Sequence, residues 1–290
     1  APFFDRAESP FDIPGINTGF VPQDLDHVEA DDSWLFSGYM ADHSPSPLYR
    51  RAADGTITKF YVSLPDGSPY HGSAITTNEQ YAYLACEECY LVIPMDDLLF
   101  AEDGASVQAT EKVDVDLSPA FMNIEQGQLL LGNFYYPNDY ETPENHHITT
   151  PDGTENPAVM YAFAADPAEP GRFLTVPDNV FSIPGMVQGT CITDDGRIVL
   201  SVSYGIAPSH LLAYNVNLAA PDGTFTTGSG DEVELFCLDS RNLTEDLVGP
   251  PMQEGIESHD GRVYTTDESA SNKYIFGKLC GAGRVYAVQL

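Results

Sequence analysis

An internal repeat constrains this chain more than any other feature. Five times a polar turn leads into a short apolar strand: Asp31 to Gly38, Asn78 to Ala85, Glu125 to Gly132, Asp194 to Ser201 and His259 to Thr266. Asp-Gly and Gln-Gly pairs in these turns allow the positive φ that tight antiparallel hairpins need. A small-residue stretch precedes each one: Gln23-Asp24-Leu25, His71 to Ile75, Pro119 to Met122, Gln188 to Ile192 and Glu254-Gly255-Ile256. Small residues suit strands crowded about a common axis. A third strand follows each hairpin, as in Pro47 to Arg50, Cys89 to Ile93, Val159 to Phe163, Leu211 to Tyr214 and Arg284 to Val288. More polar fourth strands are expected at Thr58 to Leu64, Val107 to Leu117, Arg172 to Ile183 and Val233 to Leu247. Four antiparallel strands repeated radially make a β-propeller.

The fifth repeat stops after its third strand, at Leu290. Its missing strand is expected at the other terminus, because Phe11-Asp12-Ile13-Pro14-Gly15 matches Phe181-Ser182-Ile183-Pro184-Gly185, the end of the third repeat's fourth strand. Closing the ring in this way removes the open sheet edges. The predicted fold is all-β, a single five-bladed β-propeller domain over residues 1–290. Its blades fall at roughly 20–65, 70–117, 118–184, 185–250 and 251–290 plus 9–15. A chain of 290 residues with 42% apolar content has material for one such unit or for two small domains. A two-domain sandwich would explain neither the repeat nor the terminal match.

Forty-four acidic residues against 12 basic ones give a formal net charge of −32. That surface repels phosphate backbones and anionic headgroups, so nucleic-acid and membrane-surface roles are not expected. It also favours solubility, and a monomer is the expected state. No apolar run reaches the length of about 18 to 20 residues that a membrane helix requires, so no membrane insertion is expected. The chain begins at Ala1 rather than Met, and we therefore expect a removed leader and an extracellular or cell-surface location.

On a propeller, the loops entering the inner strands and those joining second to third strands emerge on one face. Gln23, His71, Gln188 and Glu254 are placed at the channel mouth, with Asp24 and Asp26 close behind. The second group of loops brings Tyr39, Asp42 and His43, the long segment from Asn133 to Pro157, Tyr204 and His210, and Glu268 to Tyr274. Six of the seven histidines are expected on or near this face. Long connections of this kind tend to carry function. Tyrosines with amides and carboxylates suit a small neutral polar ligand such as a glycan, since flat rings cover sugar faces and acceptors take hydroxyls. The ligand-binding set is therefore Gln23, Tyr39, His71, Gln188, Tyr204, Glu254, Lys273 and Tyr274. The same tyrosines could instead pack between loops.

Glu254 could be a metal ligand, a general acid or base, or a hydrogen-bonded channel residue. Calcium takes about six to eight oxygens, and Glu254 with Gln23, Gln188 and backbone carbonyls could supply them. Catalytic candidates are Glu254, Asp24, Asp26 and His71. Lys273, one of few lysines, is expected to hold Glu254 or Glu268 ionised. Cys86-Glu87-Glu88-Cys89 has the spacing of a redox motif but sits at a hairpin turn rather than a helix start, so a cross-strand disulfide or two free thiols are expected. Cys86, Cys89, Cys191, Cys237 and Cys280 cannot all pair within one chain. Asn242-Leu243-Thr244 matches a glycosylation acceptor.

Residues Gln188 to Gly205 and Pro250 to Tyr274 resemble a group of often exported bacterial propeller-like proteins to which no activity is assigned. The resemblance covers mainly the last two blades, and it implies the propeller fold and export without implying a reaction. Glu254-Gly255 is also similar to the metal-binding Glu at an inner-strand start in the gluconolactonase family. That family has six repeats where this chain has five, and its other ligands find no match. Five-bladed arabinanase and invertase-like glycosidases need carboxylates spaced across the channel. Glu254 with Asp24 or Asp26 could form one such pair, but His71 and Pro119 stand where further acids would be needed. Binding without catalysis is the leading expectation, and a glycosidase- or lactonase-type hydrolase, with calcium if it uses a metal, is the alternative.

Overall fold

The computed structural model describes residues 2–274, 277–280 and 283–290. Five antiparallel sheets stand around one axis. Blade 1 runs Phe20–Val28, Ser33–Met40, Pro47–Arg51 and Ile57–Ser63, and blade 2 runs Ile75–Thr77, Tyr81–Cys86, Cys89–Pro94 and Glu111–Asp114. Blade 3 runs Phe121–Glu125, Gln128–Gly132, Ala158–Phe163 and Asn179–Ile183, and blade 4 runs Val187–Ile192, Ile198–Val202, Ser209–Tyr214 and Leu243–Gly249. Blade 5 consists of Gln253–His259, Arg262–Asp267 and Arg284–Val288, with Ala7–Asp12 as its outer strand. Each inner strand touches the next, and the fifth returns to touch the first. The predicted five-bladed propeller is the observed fold.

Ring closure follows from pairing at the termini. Ala7 lies opposite Val288, Glu8 opposite Ala287, Phe11 opposite Val285 and Asp12 opposite Arg284, all antiparallel. The closing strand is thus Ala7–Asp12, slightly earlier than the expected 9–15, and Ile13 lies just beyond it with its amide donating to Gly283 O at 2.8 Å. Phe11 packs on Trp34 and under the Arg51 guanidinium, so the terminal strand also grips blade 1.

Hydrophobic side chains collect into five clusters, one for each gap between neighbouring blades. Inner and middle strands face a neighbouring blade on both sides, which explains near-continuous apolar runs such as Ala158–Phe163, buried at every position. Outer strands such as Glu111–Asp114 are exposed and carry charge. The tight hairpins at Gln126-Gly127 and Asp260-Gly261 have both central residues at positive φ, the arrangement that follows the strand twist.

Two expected outer strands divide in the structure. Residues 107–117 do not form one strand: Ser106–Gln108 lies parallel on blade 1, beside Ile57–Ser63, and only Glu111–Asp114 completes blade 2. In 233–247, Glu232–Cys237 likewise lies parallel on the outer strand of blade 3, followed by Gly223–Thr226, and blade 4 is completed by Leu243–Gly249. Each detour covers the exposed edge of the preceding blade, which would otherwise present unpaired amides. No helix among the described residues is long and apolar enough to cross a membrane.

Candidate functional site

Every inner strand enters the ring from the same face and runs toward its hairpin turn. Gln23, Ser73, Ala120, Gln188 and Met252, one from the entry of each blade, form the floor of a cavity of about 490 Å3. Its walls come from Tyr39 at the end of blade 1's second strand and from the loops between second and third strands: Phe134, Tyr140, Tyr204, Glu268, Lys273 and Tyr274. The small residues of the inner strands make this convergence possible. A Cβ on Gly189 would come within 2.8 Å of Gly255 Cα, so blades 4 and 5 meet almost backbone to backbone beneath the floor.

Six of the eight residues expected at the ligand face line this one cavity: Gln23, Tyr39, Gln188, Tyr204, Lys273 and Tyr274. His71 is exposed and lies outside it, and Glu254 sits below the floor, 2% exposed. Sequence reasoning left Phe134, Tyr140 and Ser73 out of the set. The first two stand in the long connection from 133 to 157, whose length was the one available signal. That connection has structure of its own, a 3-10 turn at Glu144–His146 and a two-stranded hairpin of Ile148–Thr149 with Glu155–Asn156.

Lys273 does not hold Glu254 or Glu268 as expected. Its ammonium donates to Tyr39 Oη at 2.7 Å and lies over the rings of Tyr39 and Tyr274, 4.8 and 5.1 Å from their centroids. Cation–π attraction and the phenol oxygen occupy it. Tyr39 and Tyr274 hydroxyls are 3.3 Å apart, and Tyr204 stacks on Tyr136 with centroids 3.8 Å apart. The tyrosines thus brace one another between loops and line the cavity at once. Burial, with nearby Glu268, pushes the Tyr274 phenol up, so it stays a neutral donor.

Beneath the floor the axis is polar and acidic. Asp24 accepts from Ile75 N at 3.0 Å and from its neighbour Leu25 N at 2.9 Å. Asp26 accepts from Thr77 Oγ1 at 2.6 Å, and Asn123 Nδ2 donates to Thr190 O at 2.9 Å and to Glu257 Oε1 at 3.4 Å. Glu125 Oε1 accepts from Ile192 N at 3.0 Å. These bonds tie blades 1 to 2, 3 to 4 and 3 to 5 through side chains on inner strands. Asp24 and Asp26 are 4% and 2% exposed. Burial raises the carboxyls of Asp24, Asp26 and Glu257, and a hydrogen bond between Asp26 and Glu257 raises Glu257 further while lowering Asp26, so Glu257 is the one that carries the shared proton. Burial, with Glu257 adding, pushes Glu125 up to about 8. Glu254 is also held well above the carboxylate range, by burial first and Glu268 second, and its Oε1 has no hydrogen-bond partner.

The candidate acids Glu254, Asp24 and Asp26 therefore lie together below the cavity rather than in it, and Glu268 is the one carboxylate among the lining residues. For calcium at Glu254, the orphaned Oε1 is the favourable observation. The amide nitrogens of Gln23 and Gln188 are held by Pro22 O and Ser203 O, at 3.2 and 3.1 Å.

His27 and His259 stack on each other, ring centroids 3.7 Å apart, at the hairpin end of the inner strands. Six histidines consequently do not share the cavity face. In sequence, His259 reads only as the opening of the last hairpin turn and His27 as the end of the first inner strand, and nothing local brings the two together. Cys86 and Cys89 form a disulfide across their hairpin, while Cys191 and Cys237 are free and buried; the Cys280 side chain lies outside the described residues. Asn242 is engaged on both sides of its amide, donating to Cys237 O at 2.8 Å and accepting from Asp239 N at 3.1 Å, which leaves the glycosylation pattern a structural turn.

No protein-family model matches the chain, and no curated protein matches it in sequence. Solved structures do resemble it in shape. The PQQ-bound aldose sugar dehydrogenase of Streptomyces coelicolor is 14% identical, with 90% of this chain and 78% of that one covered at a TM-score of 0.48. A candidate oxidoreductase (glucose dehydrogenase) of Thermus thermophilus is 10% identical, with 98% and 99% covered, also at 0.48. A candidate gluconolactonase is 14% identical, with 98% and 91% covered, at 0.41. Likeness at this level carries nothing about the chemistry of the present chain.

Proposed function

We propose that this protein binds a small neutral polar ligand of sugar-like character in the axial cavity, outside the cytosol. The carrying observation is the cavity's construction: two floor amides, Gln23 and Gln188, face up between walls rich in tyrosine. Aromatic faces cover the apolar side of a sugar ring while amides and phenols satisfy its hydroxyls. Lys273 and Glu268 bring one charge of each sign, so the cavity favours no net charge in its occupant. The Cys86–Cys89 disulfide supports a location in an oxidising compartment.

The alternative is a glycosidase- or lactonase-type hydrolase using Glu254 with Asp24 or Asp26. Its support is a buried carboxyl of raised pKa, the property of a general acid, directly behind Glu268. If a hard cation serves this site, Glu254 and the amide oxygens of Gln23 and Gln188 are its donors. Burial of the three acids makes binding the better-supported reading.

A glycan and metabolite panel tests both. The binding reading expects a saturable ligand whose affinity drops at least about tenfold in Gln188→Ala and Tyr274→Ala, matching the loss of one good polar or stacking contact. Glu254→Gln should bind as the parent does. Turnover of a bound glycoside or lactone that disappears in Glu254→Gln would establish the hydrolase instead. A panel in which the two cavity variants bind every ligand as the parent does would overturn the binding site.

A further inference from the structure

We propose that His27, Glu29 and His259 form a site for an imidazole-preferring divalent metal, zinc foremost, at the end of the channel opposite the cavity. One ligand atom from each residue lies within 4.8 Å of the other two. Glu29 Oε1 is 3.3 Å from His27 Nδ1 and 3.8 Å from His259 Nδ1. Tetrahedral zinc with bonds of about 2.0 to 2.2 Å sets its ligand atoms about 3.3 Å apart, so the two edges at Glu29 already have nearly the required length, and the side between the histidines, within 4.8 Å, shortens by at most about 1.5 Å on binding.

Two further observations point to a ligand. The His27 side chain is only 4% exposed, yet its Nδ1 makes no hydrogen bond although it faces the cluster. A buried ring nitrogen whose nearest polar atom is a carboxylate oxygen 3.3 Å away, outside hydrogen-bond geometry, is poorly compensated for its desolvation, and a metal ion would bond both atoms. The remaining ring nitrogens are each backed by a carboxylate: His27 Nε2 lies 2.7 Å from Asp32 Oδ1, and His259 Nε2 lies 3.2 Å from Asp260 Oδ2. The Asp32 hydrogen bond favours the His27 tautomer that presents Nδ1 as a lone pair, as outer partners do in histidine metal sites, while Asp260 lies beside the outer nitrogen of His259 without a hydrogen bond.

The donor set selects the metal. Two imidazoles and one carboxylate suit zinc, nickel or copper, whereas calcium and magnesium take oxygen ligands. Glu29 is 86% exposed, so a fourth position faces solvent. Because His27 ends the inner strand region of blade 1 and His259 ends that of blade 5, a bound ion would staple the two blades whose meeting closes the ring.

Trp34, the chain's single tryptophan, reports on this place directly. Its ring centroid is 5.0 Å from His27 and 5.7 Å from His259. With tag-free full-length protein, nickel titration should quench Trp34 emission along a saturable curve of one ion per chain, reversed by EDTA. Zinc should compete at equal concentration, and calcium or magnesium should not compete at 100-fold excess. His259→Ala and Glu29→Gln should weaken nickel at least tenfold, and Asp32→Asn about 10- to 100-fold through the loss of the carboxylate hydrogen-bonded to His27. Far-UV circular dichroism and metal-free melting of the variants verify the fold, and the surface position of Glu29 makes Glu29→Gln the safest comparison. Quenching that fails to saturate, yields equally to calcium, or has the same midpoint in Glu29→Gln and His259→Ala as in the parent would overturn the site. Cavity ligands play no part in this readout, so its outcome is independent of the proposed binding function.

Discussion

Gly255 lies against Asp24 so closely that a Cβ at position 255 would stand 1.9 Å from Asp24 Oδ1 and 2.7 Å from its Cα. Inner strands of the last and first blades meet here, directly over the acidic axis. The contact explains why glycine follows Glu254: any side chain would push apart the strands whose approach closes the ring.

Gly255→Ala should therefore destabilise the protein by about 1–3 kcal/mol or more, the usual cost of overpacking a tight interior. Chemical denaturation followed by Trp34 emission measures it. An unchanged midpoint would show that the seam is looser than the structure indicates.

The N-terminal segment should act as a structural strap. Phe3 is fully buried among Cys191, Val199, Leu211 and Tyr286 between blades 4 and 5. Phe3→Ala should cost about 3–5 kcal/mol, the range for a large aromatic removed from a core. A melting temperature equal to the parent's would mean that the terminus contributes little to closure.

Stability should fall as pH rises from about 5 to above 8. Burial raises Glu125 from the ordinary carboxyl range to about 8, so between those values the folded chain holds a proton that the unfolded chain has released. Stability then has a negative slope against pH, is greatest below the unfolded pKa and is lost on passing through the folded one. The effect is on the order of a few kcal/mol. Glu125→Gln keeps an acceptor for Ile192 N and should flatten the slope, gaining stability over the parent at pH 8 and not at pH 5. Parallel slopes for parent and variant would show that Glu125 does not carry the dependence.

Reducing the Cys86–Cys89 bond should cost about 2 kcal/mol or less, because the loop it closes is very short. The hairpin keeps its register through the pairing of Tyr81 to Cys86 with Cys89 to Pro94. Melting with and without reductant, beside Cys86→Ser/Cys89→Ser, measures the difference. Collapse of the whole ring on reduction would contradict this local role.

The five-bladed ring, its closure by the N-terminal strand and the face that gathers Gln23, Gln188 and Tyr274 were legible in the sequence, because strand period, turn residues and repeat spacing are local patterns. Legibility stopped where a partner depends on distance in space. Residues 106–108 and 232–237 read as strands, yet nothing local indicates that they pair with the preceding blade. Charge alone points Lys273 to Glu254 or Glu268, whereas the folded loops bring its ammonium to Tyr39. The sinking of Glu254 beneath the cavity floor and the stacking of His27 on His259 are set by how inner strands from opposite ends of the chain are pressed together around the axis. Local residue chemistry determined the number and kind of strands; only the closed ring decided which side chains share a space, because distances between blades are fixed by packing that no single segment contains.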